Sequence, residues 1–278
     1  METTSNWPVI VGQLLRQVAA QRPLVHCITH PITMNDSANL ILAVGAIPNM
    51  ASHPQEVAEI TASSDVLSVN LGNITDDRMK AMQISGQQAL RLGKPVVIDV
   101  VGAACSTLRR TFAEQFIQQY KPAVIKGNAS EIRCLCGLPS HAEGADAGSE
   151  DLVCQGTDSP FVQAVTAYAQ AHKAVVMASG PVDVITDGVH CWGVANGTPY
   201  LARMTGTGCM LGALTAVYTA HHKPVEAAVL AAVMMGLAGE KAAEPYEGMG
   251  TFHYRLLDAF STMTTEEICR QAKILDIR

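Results

Sequence analysis

Glycine and threonine alternate over residues 205–208, and Cys209 follows just before an apolar, alanine-rich run. This pattern predicts a loop that leads into the N-terminus of a helix. Glycines let the backbone approach a ligand closely, and the free N–H groups of a first helical turn attract an anion. A thiol in that turn is expected to have a lowered pKa. The segment therefore predicts an anion cradle with an ionisable group, suited to phosphoryl transfer; the alternative is a tight turn followed by a small core residue.

Polar side chains also follow several short apolar runs rich in β-branched residues. Asp99 is of the type that holds Mg²⁺ directly or through water, or else it caps a turn. Lys126 is suited to nucleotide phosphates, and Asn128 with Glu131 fits a capping box in which Glu131 could also face the metal. Ser179 could meet a phosphate or merely close a turn.

Other residues have weaker signals. Met50 follows an apolar helical segment and is either core filler or a side chain that packs on a flat ring. His30, ahead of Pro31, is interpreted as a loop residue and is left outside the candidate site. Arg109 and Arg110 are predicted to lie on a solvated helix face.

The apolar runs alternate with helical patterns, which predicts an α/β fold with a mostly parallel sheet and helices on both faces. Asp187-Gly188 predicts a hairpin and hence an antiparallel edge. Residues 1–278 are predicted to form one domain, with a surface loop over 139–160. The predicted strands are 24–28, 66–70, 95–100, 123–126, 174–178, 182–186 and 189–194; the clearest predicted helices are 77–92, 107–120, 161–172, 207–221, 225–243 and 265–274.

Ligands of open α/β sheets bind beyond the carboxyl ends of the strands. The polar residues after each strand should therefore meet at one edge of the sheet. They are Thr29-His30, residues 70–73, Asp99 with Gly102, residues 126–131, and Ser179-Gly180.

Composition excludes several classes of protein. The net charge of −6 leaves no basic excess for a nucleic-acid backbone. The eight cysteines form no disulfide or zinc framework, which favours a reduced, cytoplasmic protein. Residues 1–8 are polar and lack the features of a signal peptide, and the most apolar run, 227–238, is too short to span a bilayer. We expect neither nucleic acid nor a membrane as a partner.

Six segments, spread in order over most of the chain, resemble the hydroxyethylthiazole kinase family of the ribokinase-like superfamily. They are residues 25–29, 45–51, 70–72, 97–99 with Gly102, 126–132, and 205–210, the last being the most specific. The resemblance implies a ribokinase-like fold. It also implies a kinase that uses ATP and Mg²⁺ to phosphorylate the hydroxyl of 4-methyl-5-(2-hydroxyethyl)thiazole in thiamine salvage.

The same resemblance implies roles for individual residues. Met50 and Gly206 would contact the thiazole, Lys126 and Ser179 would contact ATP, Asp99 and Glu131 would organise Mg²⁺, and Cys209 would act beside the attacking hydroxyl as a modest base. The family forms homotrimers with substrate pockets at subunit interfaces, where residues near 29–39 line the pocket of the neighbour.

Two departures from the family pattern bear on the site. Residues 99–105 read Asp-Val-Val-Gly-Ala-Ala-Cys, where the family usually reads Asp-Pro-Val-Gly-Ala-Gly-Ala, so the turn after Asp99 is expected to be looser. Thr29-His30 stands where the family commonly has Thr-Asn. Two alternatives stay open: a related kinase for another small alcohol, such as a hydroxymethylpyrimidine, and a catalytically silent thiazole-binding protein.

Overall fold

The computed structural model describes residues 6–142, 148 and 159–277. Within them, nine strands form one sheet: β1 (Leu24–Ile28), β2 (Ile47–Asn49), β3 (Val66–Asn70), β4 (Val96–Asp99), β5 (Val124–Asn128), β6 (Val175–Ser179), β7 (Asp183–Thr186), β8 (Cys191–Val194) and β9 (Ile274–Asp276). Their spatial order is β2-β1-β3-β4-β5-β6-β7-β8-β9. Neighbours from β2 to β6 pair in parallel, whereas β6 to β9 pair antiparallel. The predicted mostly parallel sheet with an antiparallel edge is confirmed.

Helices cover both faces of this sheet, as predicted. They are α1 (Trp7–Gln21), α2 (Pro31–Ala43), α3 (Val57–Ser63), α4 (Asp76–Leu92), α5 (Thr107–Tyr120), α6 (Ala129–Leu135), α7 (Pro160–His172), α8 (Thr207–Thr219), α9 (Pro224–Ala242), α10 (Met249–Thr262) and α11 (Thr265–Gln271). Successive strand residues point to opposite faces, so Val97 packs into a core with α1, α2 and α8–α11 while Ile98 packs into a core with α3–α7. The helices α8 and α9 are buried on almost all sides.

The register of the parallel strands sets the site. Asn70 pairs with Asp99, Asp99 with Lys126, and Asn128 with Ser179 across neighbouring strands. Their carboxyl ends therefore lie side by side at one edge of the sheet, as predicted.

Three parts of the prediction differ from the structure. The strand β2 (Ile47–Asn49) was not predicted. The helix predicted over 265–274 ends at Gln271, and Ile274 instead begins β9, which pairs with β8. Most of the predicted surface loop, residues 143–147 and 149–158, lies outside the described residues. Across the part of the chain that is described, no helix has the length and apolar character needed to cross a membrane.

Candidate functional site

The N-terminus of α8 forms the floor of the site. Gly206 is its N-cap and has φ 91°, a left-handed conformation that favours glycine. A Cβ at position 206 would lie 2.5 Å from Cγ2 of Thr33 in α2. The turn is therefore held close against α2, and the amides of the first turn of α8 stay available to an anion.

A buried ion pair joins this helix end to the sheet. Nζ of Lys126 lies 3.2 Å from each carboxylate oxygen of Asp99, and it donates to the carbonyl oxygen of Gly208 at 2.9 Å. Lys126 is 3% exposed and Asp99 is 2% exposed. The residues predicted to act on nucleotide and metal thus lie directly beneath the predicted anion cradle.

The loop after β3 supports this pair. Asn70 Nδ2 donates to Oδ2 of Asp99 at 2.9 Å, and its Oδ1 accepts the N–H of Gly72 at 2.8 Å. The guanidinium of Arg78 donates to the carbonyl oxygens of Asn70, Gly72 and Asn73. A buried arginine therefore fixes the loop that carries Asn70.

Glu131 holds two backbone segments together. Its Oε2 accepts the N–H of Asn128 at 2.7 Å, which completes the predicted capping box, and its Oε1 accepts the N–H of Gly102 at 2.6 Å. The amide of Val100 also donates to the carbonyl of Lys126 at 2.8 Å. Hydrogen bonds therefore fasten the turn after Asp99 although the usual proline is absent, and the expectation that it is looser than in the family stays a prediction.

The charges of this buried group are unbalanced. Burial lowers the pKa of Lys126, but the carboxylates of Asp99 and Glu131 outweigh it and leave that pKa raised. Burial, followed by the negative charge of Asp99, raises the pKa of Glu131 to about 7. When all three groups are ionised the trio carries one net negative charge, which a cation would neutralise.

The residues fit a magnesium ion bound to phosphates better than a protein cage for a metal. Among the described residues, no three His, Cys, Asp or Glu side chains converge enough to enclose a metal ion. Mg²⁺ is usually held by one or two carboxylates together with waters and substrate phosphates. Asp99 and Glu131 supply two carboxylates, and a nearby cation would favour the ionised form of Glu131.

The expected lowering of the pKa of Cys209 is wrong. Burial raises the pKa of this thiol to about 11, with a further increase from the charge of Asp99, although Lys126 opposes the shift. The position of Cys209 at the helix N-terminus does not overcome the loss of solvent. The residue is therefore a neutral thiol at pH 7 and a weak proton acceptor by itself.

His30 belongs to the site although sequence reasoning left it out. It is 6% exposed, and its Nε2 lies 3.4 Å from Sγ of Cys209 and 3.3 Å from Oγ1 of Thr33. A Cβ at Gly72 would lie 2.4 Å from the imidazole ring, so this glycine makes room for it. The departure from the common Thr-Asn pair was the available signal.

Arg109 is the second residue that the sequence analysis misplaced. It is half-buried rather than solvated, since its side chain lies against Gly102, where an added Cβ would meet the guanidinium. Burial lowers the pKa values of His30 and Arg78, and the positive charge of Arg109 lowers both of them further. Two arginines thus raise the positive potential at the mouth of the site.

Ser179 and Met50 are positioned by two other strands of the sheet. Oγ of Ser179 donates to the carbonyl of Gly127 at 3.3 Å, which places it one strand beyond Lys126. Met50 follows the edge strand β2 and is partly buried. The structure therefore groups Gly206, Cys209, Asp99, Lys126 and Glu131, with Ser179 beside them and Met50 at the edge of the sheet.

Asp183, another buried carboxyl that sequence reasoning missed, should make folding stability depend on pH. Its Oδ1 accepts the N–H of Gly180 at 2.9 Å, yet burial raises its pKa to about 7. The folded state keeps this proton where the unfolded chain has lost it, so the free energy of unfolding falls as pH rises from about 4 to about 7. Asp183→Asn keeps the acceptor oxygen and should raise stability at pH 8 by about 4 kcal/mol, because a rise of about three pKa units costs about 1.4 kcal/mol per unit.

Urea unfolding of the parent and Asp183→Asn at pH 5 and pH 8 measures this effect. The two proteins should differ at pH 8 far more than at pH 5. An equal difference at both values would show that the Asp183 carboxyl does not control the pH dependence.

The chain is similar to one family along nearly its whole length. Residues 15–266 match the model of the hydroxyethylthiazole kinase family. A protein of Clostridium botulinum named hydroxyethylthiazole kinase 2 is 42% identical over 262 residues, which cover 94% of this chain and 98% of that relative. The structure of a hydroxyethylthiazole kinase from Pyrococcus horikoshii has a TM-score of 0.86 at 32% identity, covering 97% of this chain and 100% of the other.

A more distant neighbour confirms the predicted fold. A ribokinase-like superfamily protein of Enterococcus faecalis has a TM-score of 0.66 at 14% identity, over 90% of this chain and 93% of its own. At that identity the likeness concerns the fold alone, and it shows the ribokinase-like arrangement.

Proposed function

Because this chain belongs to the hydroxyethylthiazole kinase family, we propose that it transfers the γ-phosphoryl group of ATP to the hydroxyl of 4-methyl-5-(2-hydroxyethyl)thiazole. The reaction would use Mg²⁺ and supply the thiazole phosphate from which thiamine is built. The observation that best supports this proposal is the convergence of the α8 N-terminus with the buried pair of Lys126 and Asp99. This arrangement places anion-binding amides beside a fixed positive charge.

Phosphoryl transfer depends on positioning and on stabilising charge rather than on covalent chemistry by the protein. The first-turn amides of α8, from Thr207 to Cys209, would donate to the equatorial oxygens of the transferring group. Gly206 in its left-handed conformation leaves these amides uncovered. Cys209, the third residue of α8, would lie beside the attacking hydroxyl.

Lys126 would stabilise charge on the nucleotide. Its ammonium is already fixed by Asp99 and by the carbonyl of Gly208, so little reorganisation is needed when phosphates arrive. Ser179, on the next strand, would contact the same nucleotide. Arg109 would add positive potential at the entrance.

Asp99 and Glu131 would hold Mg²⁺, which when bound neutralises the phosphate oxygens and so lowers the barrier to attack on the γ-phosphorus. Asp99 is positioned by Asn70 and Lys126, whereas Glu131 is positioned by two backbone amides. These partners keep both carboxylates at the sheet edge before any ligand arrives.

We infer a homotrimer in which a neighbouring subunit completes the thiazole pocket. Met50 follows the edge strand β2 and would contribute to a pocket that includes another subunit. Ile32 is 61% exposed and Leu42 is 54% exposed on α2, and Ile47 of β2 is 39% exposed. These apolar side chains favour a subunit contact on this side.

Light scattering should give three times the mass of the chain; a fully active monomer would exclude the shared pocket.

The activity is tested by measuring ADP release with purified protein, ATP, Mg²⁺ and each of two alcohols. We expect release that depends on 4-methyl-5-(2-hydroxyethyl)thiazole and is at least tenfold slower with 4-amino-5-hydroxymethyl-2-methylpyrimidine. The reverse preference would favour the related pyrimidine kinase. Thiazole binding without ADP release would indicate a silent binding protein.

We further infer a single kinase domain over residues 1–278 and a cytoplasmic location. The family match spans 15–266, and both hydrophobic cores are built on the same sheet. If there is one domain, limited proteolysis should not yield two stable fragments.

A further inference from the structure

His30 is a buried imidazole in direct contact with the thiol of the site. Its Nε2 lies between Sγ of Cys209 at 3.4 Å and Oγ1 of Thr33 at 3.3 Å. Both neighbours carry a hydrogen that a lone pair on Nε2 can accept. His30 immediately precedes α2 and Cys209 lies in the first turn of α8, so the fold brings their side chains together.

The other ring nitrogen supports a functional role. Nδ1 of His30 is buried and has no hydrogen-bond partner among the described residues. Buried nitrogens of structural histidines are normally paired. Gly72 leaves room for the ring, since any Cβ there would clash with it. The ring is thus held beside Cys209 rather than used to complete a hydrogen-bonded core.

The charges around His30 keep it neutral. Burial lowers its pKa, and the positive charges of Arg78 in α4 and Arg109 in α5 lower it further. Cys209 of α8 is a titratable group in contact with the ring, and its raised pKa leaves it protonated at pH 7. Because its pKa is raised, the thiol alone does not remain deprotonated. A neutral imidazole beside it can accept the proton instead.

We propose that Cys209 and His30 form a proton relay for the attacking alcohol, an inference that rests on the proposed function. The alcohol oxygen bonds to the γ-phosphorus, and the bond from that phosphorus to the bridging oxygen breaks, so ADP leaves with the electron pair. The alcohol proton passes to Sγ of Cys209 while the S–H proton passes to Nε2 of His30. The imidazolium then releases its proton to solvent, which restores the relay.

The test compares kcat and KM of the parent, His30→Asn, Cys209→Ala and the double variant. Each single change should lower kcat about 100-fold, at the lower end of the range for general acid–base catalysis, and should change the thiazole KM by less than about threefold. Since the two residues act as one unit, the double variant should be within about twofold of the slower single variant. Losses that multiply, or an unchanged kcat in His30→Asn, would overturn the relay.

The pH dependence of kcat gives a second readout. Below the pKa of His30 the parent should lose activity because the ring is already protonated, and His30→Asn should lack this part of the profile. Glu131 is present in both proteins, so any titration of its carboxyl should contribute equally to both profiles. Cys209→Ser retains a transferable proton and should restore kcat to within about tenfold of the parent. Identical profiles for the parent and His30→Asn would contradict the proposal.

The alkylation rate of Cys209 separates failure of the relay from failure of the proposed function. Mass-spectrometric labelling with iodoacetamide at pH 7.5 needs no turnover. It should be at least threefold slower in His30→Asn and His30→Gln, because the thiol has lost its proton acceptor. Equal labelling in folded variants would refute the relay even if the parent lacked thiazole kinase activity.

His222 provides the matched control. It also has a buried ring nitrogen without a partner among the described residues, and burial lowers its pKa. It follows the C-terminal end of α8, about 20 Å from Cys209 by the helix rise. His222→Asn should leave kcat, its pH profile and Cys209 labelling unchanged.

Discussion

Asp99→Asn should lower kcat for thiazole phosphorylation by about 100- to 1000-fold while leaving the thiazole KM nearly unchanged. The amide keeps the shape of the side chain but loses the charge that fixes Lys126 and would attract Mg²⁺. Since those interactions matter most when charge develops on the phosphates, the loss should fall on turnover rather than on substrate binding. Steady-state kinetics at several Mg²⁺ concentrations measure both quantities.

Asp65→Asn is the matched control for this change. Oδ2 of Asp65 accepts the N–H of Leu24 at 2.7 Å at the opposite end of the parallel strands. The same chemical substitution there should leave kcat within about twofold of the parent, since surface changes away from the site are usually small in effect. An Asp99→Asn variant with parental turnover would reduce Asp99 to a structural partner of Lys126.

Lys126→Met should lower both stability and turnover. It leaves the carboxylate of Asp99 buried without its counter-ion, and breaking such a pair lowers the free energy of unfolding by about 3–5 kcal/mol. It also removes the contact with Gly208 and the positive charge expected at the nucleotide, so the KM for ATP should rise at least about tenfold. Urea unfolding and ATP titrations check the two effects.

The double variant Lys126→Met/Asp99→Asn separates these effects. Removing the second charge should restore much of the lost stability, because no unpaired carboxylate remains. Its kcat should equal that of whichever single variant is slower. A double variant that is as unstable as the sum of both single changes would show that the pair is not energetically coupled.

The sequence predicted the sheet, its antiparallel strands and the meeting of polar residues at the carboxyl ends of the parallel strands. The periodicity of apolar residues and the residues of turns are local signals, so they can be recognised without the tertiary structure. The sequence did not predict β2 or β9, since three residues of strand carry little pattern, and the pairing of β9 with β8 is a long-range contact. It placed Asp99, Lys126 and Glu131 together because each lies near the carboxyl end of a parallel strand or just beyond it. The roles of these residues stay predictions.

The errors at the site have a common physical origin. His30 meets Cys209 across 179 residues of sequence, and no local pattern signals that contact. The pKa of Cys209 was judged from the helix terminus alone, whereas burial, which depends on the tertiary structure, has the larger effect. Arg109 was assigned to a solvated face because its packing against Gly102 depends on the path of the turn after β4.

The carboxylate of Glu131 accepts the N–H groups of both Gly102, at 2.6 Å, and Asn128. We therefore expect Glu131 to tolerate substitution less well than residues of the turn after β4. The side chains at Val101, Ala104 and Cys105 are only partly buried or exposed, and Cys105 adds one longer contact, from Sγ to the carbonyl oxygen of Gly102 at 3.4 Å. The turn should therefore depend on Glu131 more than on these three side chains. A combinatorial library over those three positions should retain many folded members. Randomising Glu131 should retain few, so sequence drift in this loop is a poor guide to whether the site has been lost.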